Sequence, residues 1–230
     1  MRRFLSIWIN LFIALTVFTL WFRLLFTYNS GGRPVRFNPE GLQYLKYFTV
    51  LSNLLMGVAA LAHAVALSLA ACGVLRRVPK AIRRLKYIST CAVGLTFFTV
   101  LCFLGPRTGF RDSYDGANLW FHLLIPLAAM LEFTLIDREG RIPPRYATLA
   151  LAMPALYGAA YLGNLIANGY GGRDHSNDWY DFAADGPAGA FIALPAMLLA
   201  AWVIGRALGK PREKGKASRR ERQVESLSGK

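Results

Sequence analysis

The sequence is short of charge. Only 17% of its 230 residues are Asp, Glu, Lys or Arg, whereas 54% are hydrophobic, a balance that excludes an ordinary soluble domain. Acidic residues are the scarcer kind, 13 against 27 Lys and Arg, and the net charge is +14. Because the basic residues are concentrated in short loops and in a C-terminal tail, this excess indicates the cytoplasmic side of a bilayer rather than nucleic acid as a partner.

Cysteine is also rare. The chain has Cys72, Cys91 and Cys102, and the last two are about 16 Å apart along one predicted helix, too far for a disulfide. No spacing of Cys or His is typical of a metal site, so the sequence predicts neither a metal nor another cofactor. We interpret the three cysteines as small packing residues.

The apolar residues fall into long blocks separated by turn signals. Six blocks reach the roughly 20 residues that a helix needs to cross a bilayer, and the first is too long for a signal peptide. The sequence therefore predicts an all-α polytopic membrane protein, with a six-helix transmembrane domain at 1–208 and a basic, disordered cytoplasmic tail at 209–230. The predicted spans are Phe4–Tyr28, Tyr47–Ala71, Leu85–Leu104, Asn118–Ile136, Tyr146–Ala167 and Ala188–Leu208.

The distribution of Lys and Arg predicts the orientation. The N-terminus, the second and fourth loops and the tail together carry 20 of them, and the other three loops carry 6. Since cytoplasmic loops are the basic ones, we expect both termini in the cytoplasm and a multi-pass protein of the cell membrane. The second loop contributes Arg76, Arg77, Lys80, Arg83, Arg84 and Lys86 to this count.

Hydrogen-bonding side chains recur inside the predicted spans, where they are costly and usually face the bundle interior. Thr49, Ser52 and Asn53 share one face of the second span, and Asn118 and His122 are i, i+4 neighbours in the fourth. The predicted topology places all five in the same outer leaflet. The first and fifth spans bring Arg23, Asn164 and Asn168 to that depth, and Tyr157 and Tyr161 belong to the same polar stripe of the fifth span.

Three other features carry expectations. Pro126 has no N–H to donate to the carbonyl of His122, so we expect the fourth helix to kink or open there. At greater depth, His63 and Glu132 are expected to pair with each other or to form a proton path. The loop at 171–186 is interpreted mainly as a solvated lid, with metal binding as the alternative.

A threonine hydroxyl becomes a nucleophile when a base such as a neutral imidazole takes its proton. The alternative role for Thr49 and His122 is structural, as hydrogen-bonding residues between helices.

Two motifs resemble a known family. "KYFTVLSNLL", followed about 70 residues later by "NLWFHLLIPLAAMLEF", resembles the family of androgen-induced protein and androgen-dependent TFPI-regulating protein. The later "MPALYGAAYLGNLIANGYGG" and "NDWYDF" are similar to its bacterial branch.

This resemblance implies an integral-membrane hydrolase of fatty acid esters of hydroxy fatty acids, with Thr49 as nucleophile and His122 as base. The partners would be the bilayer and a membrane lipid or fatty acyl ester. A small transporter and a non-enzymatic lipid-binding or scaffold protein remain as alternatives, and the oligomeric state stays open. The candidates for binding the substrate or the oxyanion are Ser52, Asn53, Asn118, Asn164 and Arg23, the last through a substrate carboxylate.

The orientation can be tested with reporter fusions after residue 230. We expect a fused fluorescent protein to fluoresce and a fused alkaline phosphatase to be inactive, because the basic side of the protein stays in the cytoplasm. The reverse pattern would contradict the predicted topology. Phosphatase inserted after residue 110, in a predicted outer loop, is the matched control and is expected to be active.

Overall fold

The computed structural model of the chain describes residues 1–26, 41–137, 142–169, 177–183 and 186–209. These residues are 84% helical with no strand, and six of their helices are long and apolar enough to cross a membrane. The prediction of an all-α protein with six spans is confirmed. The helices are α1 (Arg2–Leu25), α2 (Phe48–Ala71), α3 (Lys80–Leu104), α4 (Ala117–Ile136), α5 (Arg145–Asn168) and α6 (Pro187–Leu208).

The connection between α2 and α3 is short enough to make these two helices antiparallel. The eight residues at 72–79 join α2 to α3 and are too few to return along a helix of about 36 Å. Two short helices, Gly105–Thr108 and Phe110–Ser113, lie between α3 and α4. We call the end of the bundle where α2 begins the Thr49 end, and the opposite end, where α3 begins, the Lys86 end.

Helix α3 lies at the centre of the bundle. In its most apolar stretch 61% of the residues are buried, against 44% or less in the other helices. One face of α3 packs through Tyr87 and Leu95 against α4 and α6, and Val93 packs into a second core formed with α1, α2 and α4. Buried aliphatic and aromatic side chains thus hold all the other spans around one helix.

The polarity of the bundle is inverted relative to a soluble protein. Large apolar side chains on the surface, such as Trp8, Leu156 and Ile192, are 69–73% exposed. In contrast, Lys86 and Glu132 are completely buried. Ionisable residues in membrane spans face the interior because hydrocarbon offers them no partner. The exposed apolar surface is therefore the surface suited to lipid.

Two of the described helices contain π-helical turns. Helix α3 ends in a π-helical turn at Val100–Leu104, and α4 contains two, at Trp120–Leu124 and Glu132–Ile136. The first turn in α4 ends at Leu124, two residues before Pro126, where the missing proline N–H was expected to open the helix. That expectation is confirmed, and the opening takes the form of a widened turn that contains His122.

Helix α3 corrects two expectations. It begins at Lys80, immediately after Pro79, rather than at Leu85, because Lys and Arg are good helix formers that an apolar pattern does not detect. Lys86 lies within this helix and is buried, so it is not a loop charge.

The three cysteines differ in exposure. Cys91 is buried, but Cys72 and Cys102 are exposed. The tail at 210–230 and Tyr28 lie outside the described residues.

Gly205 of α6 marks a close approach of three helices. A Cβ atom there would lie 2.7 Å from the Ala150 Cβ and 3.1 Å from the Ala147 carbonyl, and the Gly205 carbonyl accepts a 2.7 Å hydrogen bond from the Tyr87 hydroxyl. The contact atoms belong mainly to helix backbones or to Cβ atoms fixed on them, which cannot rotate away.

We therefore expect Gly205→Ala to lower the free energy of unfolding in detergent by about 1–3 kcal/mol through overpacking, although alanine favours a helix. The matched control is Gly163→Ala in α5, where a Cβ would meet nothing within 4 Å, and which should be neutral or stabilising. Equal stabilities of the two variants in thermal unfolding would contradict the close packing of α6.

Candidate functional site

The first turns of α2 place three polar residues at the Thr49 end. Thr49 is half-buried, whereas Ser52 and Asn53 are completely buried. The Ser52 hydroxyl lies 3.1 Å from the Thr49 carbonyl and 3.0 Å from the Thr96 hydroxyl of α3. Ser52 therefore connects α2 with the central helix.

The Asn53 amide connects α2 with α4. Its Nδ2 donates to the Thr49 carbonyl at 2.8 Å and to the Phe121 carbonyl at 3.1 Å. One nitrogen atom thus lies within hydrogen-bonding distance of the backbone of Thr49 and of the residue that precedes His122. The two candidate catalytic residues are at the same level of the bundle, as the predicted topology required.

His122 lies in the π-helical turn of α4 and is half-buried. Its Nδ1 is 2.7 Å from the Ser113 carbonyl, in the short helix before α4. A carbonyl can only accept, so Nδ1 carries the hydrogen, and in the neutral ring Nε2 keeps a lone pair. This hydrogen bond fixes the tautomer that can act as a base through Nε2.

An apolar cavity adjoins Thr49 between α2, α3 and α6. The hydroxyl-bearing side chains of Thr49, Thr96 and Thr99 contribute to its wall, and His122 is not among the described residues that line it. The structure thus brings Thr49 and His122 to one end of the bundle but places only Thr49 on this cavity. The remaining lining residues are Phe48, Val100, Phe103, Leu104, Tyr180, Phe182 and Met197.

The segment at 177–183 closes over this end as a packed aromatic element. The Trp179 indole N–H donates to the Tyr157 hydroxyl at 2.9 Å, and the Tyr157 hydroxyl donates to the Lys46 carbonyl at 2.5 Å. Tyr180 accepts from the backbone N–H of Phe48, the first residue of α2, at 2.8 Å. Burial, followed by the neighbouring Tyr157, raises the pKa of Tyr180 well above its ordinary value, so its hydroxyl stays neutral.

Asp178 organises the same segment from inside. Its carboxylate is completely buried and accepts from the backbone N–H groups of Phe182 at 3.0 Å and Ala183 at 2.7 Å, and from the Tyr161 hydroxyl. The described part of the loop is therefore not the solvated lid expected from the sequence, because its carboxylate is used to fold the segment. His175 and Asp174 lie outside the described residues.

The other candidate residues lie around the same end. Asn164 donates to the Asn177 carbonyl at 2.8 Å and so holds the 177–183 segment on α5. Asn118 is exposed and donates to the Asp112 carbonyl at 3.4 Å. Arg23 is exposed in the last turn of α1. Their roles toward a substrate stay predictions.

A second polar cluster, at the Lys86 end, was only partly foreseen. The Glu132 carboxylate accepts from Ser6 and from Asn10, the latter at 2.9 Å, and lies 3.3 Å from the Lys86 ammonium. His63 Nε2 lies 3.4 Å from Asp137 Oδ2, so the expected pairing of His63 with Glu132 is corrected: His63 lies beside Asp137, and Glu132 pairs with Lys86. The Lys86 cluster comprises Ser6, Asn10, His63, Lys86, Glu132 and Asp137.

Comparisons of this chain with protein-family models, with curated proteins and with solved structures find no match. The relation to the androgen-induced protein family therefore stays a resemblance of short motifs.

The bridge formed by Asn53 yields a stability prediction. Asn53→Leu removes both hydrogen bonds and leaves the Phe121 carbonyl buried, so we expect the free energy of unfolding to fall by about 1–3 kcal/mol. The control is Asn118→Ala, which removes one long, exposed hydrogen bond and should change stability little. If thermal unfolding in detergent cannot distinguish the two variants, Asn53 does not join α2 to α4.

Proposed function

We propose that this protein is an integral-membrane hydrolase of lipid esters, with Thr49 as the nucleophile and His122 as the general base. The observation that carries the proposal is the fixed tautomer of His122, whose Nδ1 bonds the Ser113 carbonyl at 2.7 Å. A histidine that only forms a hydrogen bond between helices needs no particular nitrogen to be free. A general base needs a lone pair on the nitrogen that faces the nucleophile. The Asn53 bridge supports the pairing by tying the turn of Thr49 to that of His122.

The apolar cavity beside Thr49 supports a lipid substrate. Phenylalanine, leucine, valine and methionine side chains form most of its wall, so the substrate atoms next to Thr49 would meet an apolar surface. The ester carbonyl would lie at the Thr49 hydroxyl. A fatty acid ester of a hydroxy fatty acid also carries a free carboxylate, and Arg23 near the same end of the bundle is the candidate to bind it.

The reaction proceeds in two halves. The Thr49 oxygen attacks the ester carbonyl while His122 Nε2 takes its proton, and the tetrahedral intermediate expels the alcohol, which receives that proton from the imidazolium. Water then attacks the acyl-threonine ester with His122 again as base. The second collapse releases the fatty acid and returns the proton to the Thr49 oxygen.

The oxyanion needs donors that are free to turn toward it. In the resting structure the amides of Asn53, Asn118 and Asn164 donate to backbone carbonyls, and Ser52 bonds Thr96. A donor among these four would exchange its present acceptor for the oxyanion. The Asn118 bond, at 3.4 Å and exposed, is the weakest of them.

The location follows from the predicted orientation. With both termini in the cytoplasm, the Thr49 end lies in the outer leaflet of the cell membrane, and the substrate enters laterally from that leaflet. Hydrolysis then takes place without transfer of the lipid across the bilayer.

The proposal is tested with full-length protein in detergent, a fluorophosphonate probe and a fatty acid ester of a hydroxy fatty acid. We expect Thr49→Ala to abolish labelling and turnover, and His122→Ala to lower kcat by about 10²- to 10⁴-fold, the usual contribution of a general base. Thr49→Ser, which keeps a hydroxyl, should retain part of the activity.

Thr134→Ala is the matched control, because this threonine lies at the Lys86 end and bonds the Met130 carbonyl at 2.7 Å. It should be labelled like the parent protein. Labelling of Thr49→Ala, or parental turnover in His122→Ala, would reject the mechanism. Absence of turnover in the parent itself would favour a scaffold, or a transporter if ion flux in proteoliposomes depends on Glu132.

A further inference from the structure

The Lys86 cluster lies about 14 residues along α2 from the proposed catalytic end, and the ester hydrolysis described above does not use it. It draws side chains from four helices, and His63, Lys86 and Glu132 are each completely buried. One ligand-type atom each from His63, Glu132 and Asp137 lies within 4.8 Å of the other two. An imidazole and two carboxylates so close together are a set of side chains that can bind a metal ion.

We propose that His63, Glu132 and Asp137 form a binding site for a divalent transition-metal cation of the zinc type. Imidazole nitrogen and carboxylate oxygen are both zinc ligands. His63 comes from α2. Glu132 lies in the last turn of α4 and Asp137 directly follows that turn, so the two packed helices set the spacing of the three residues.

The spacing of His63 and Asp137 suits a shared ion. Nε2 and Oδ2 are 3.4 Å apart, and within the described residues neither ring nitrogen of His63 makes a hydrogen bond. Zinc binds such atoms at about 2.0–2.2 Å in a tetrahedron, which separates adjacent ligands by about 3.4 Å. A completely buried imidazole without a hydrogen bond is costly, and a metal bond would satisfy one of its nitrogens.

Glu132 is oriented as a third ligand. Ser6 and Asn10 of α1 both donate to its Oε1, which leaves Oε2 on the side of Lys86, where it lies 3.3 Å from the ammonium without a hydrogen bond to it. Hydrogen bonds to one oxygen of a carboxylate are the usual way in which the surroundings of a metal ligand fix its direction.

The number of ligands indicates the kind of site. Three protein ligands with one open position distinguish this arrangement from a closed structural site.

The test uses full-length protein in detergent, stripped with a chelator and then equilibrated with Zn²⁺. We expect about one zinc per chain by elemental analysis and a higher temperature of thermal unfolding with zinc than with chelator, because a ligand that binds only the folded state stabilises it. His63→Ala and Asp137→Asn should lose both effects. Ser6→Ala, which only loosens Glu132, should weaken zinc binding about 10- to 100-fold.

His122→Ala is the control, because it removes the histidine at the Thr49 end and should keep the zinc. Cobalt gives a second readout for the case that His63→Ala does not fold: His63→Cys loaded with Co²⁺ should gain a sulfur-to-cobalt charge-transfer band that the parent lacks. A parent chain that binds no zinc, zinc retained by both ligand variants, or a cobalt spectrum without that band would overturn the site. None of these readouts depends on ester hydrolysis.

Discussion

A polar group in the hydrocarbon layer has to find its partner inside the protein, since lipid offers none. This constraint shapes the bundle around α3. Ser52 forms a hydrogen bond with Thr96, and Asn53 donates one to the backbone of α4. Lys86 forms an ion pair with Glu132. Apolar packing alone distinguishes poorly between one arrangement of helices and another when lipid is as apolar as the core. These few directional contacts therefore determine which faces meet.

The two ends of the bundle use the constraint differently. At the Thr49 end most partners are neutral hydroxyls, amides and backbone carbonyls, and an aromatic segment covers them. At the Lys86 end the partners His63, Lys86, Glu132 and Asp137 are ionisable and buried. A buried ion pair adds little to the free energy of unfolding, because the cost of removing both charges from water offsets their attraction.

The sequence predicted the spans well because length and apolarity suffice to identify them, and positive loops supplied the relative depth of Thr49 and His122. It could not predict the partner of His122, because Ser113 lies in a connection whose path depends on two short helices. Lys86 was misread because a lysine beside a loop and a lysine buried against Glu132 have the same local sequence. The 177–183 segment was misread because its acidic residues suggested solvent, whereas Asp178 binds backbone N–H groups that are close only after folding.

The π-helical turns of α4 have a further consequence for how its faces are assigned. Each such turn is equivalent to one residue inserted into an α-helix, which rotates everything beyond it by about 100°. Helix α4 contains two, at Trp120–Leu124 and Glu132–Ile136, and the second is its last turn, so a helical wheel drawn through its whole length misplaces the residues after Leu124 by about 100°. Deleting a single residue between His122 and Glu132 would leave the hydropathy of the span almost unchanged, yet it would turn the carboxylate away from α1 and α3.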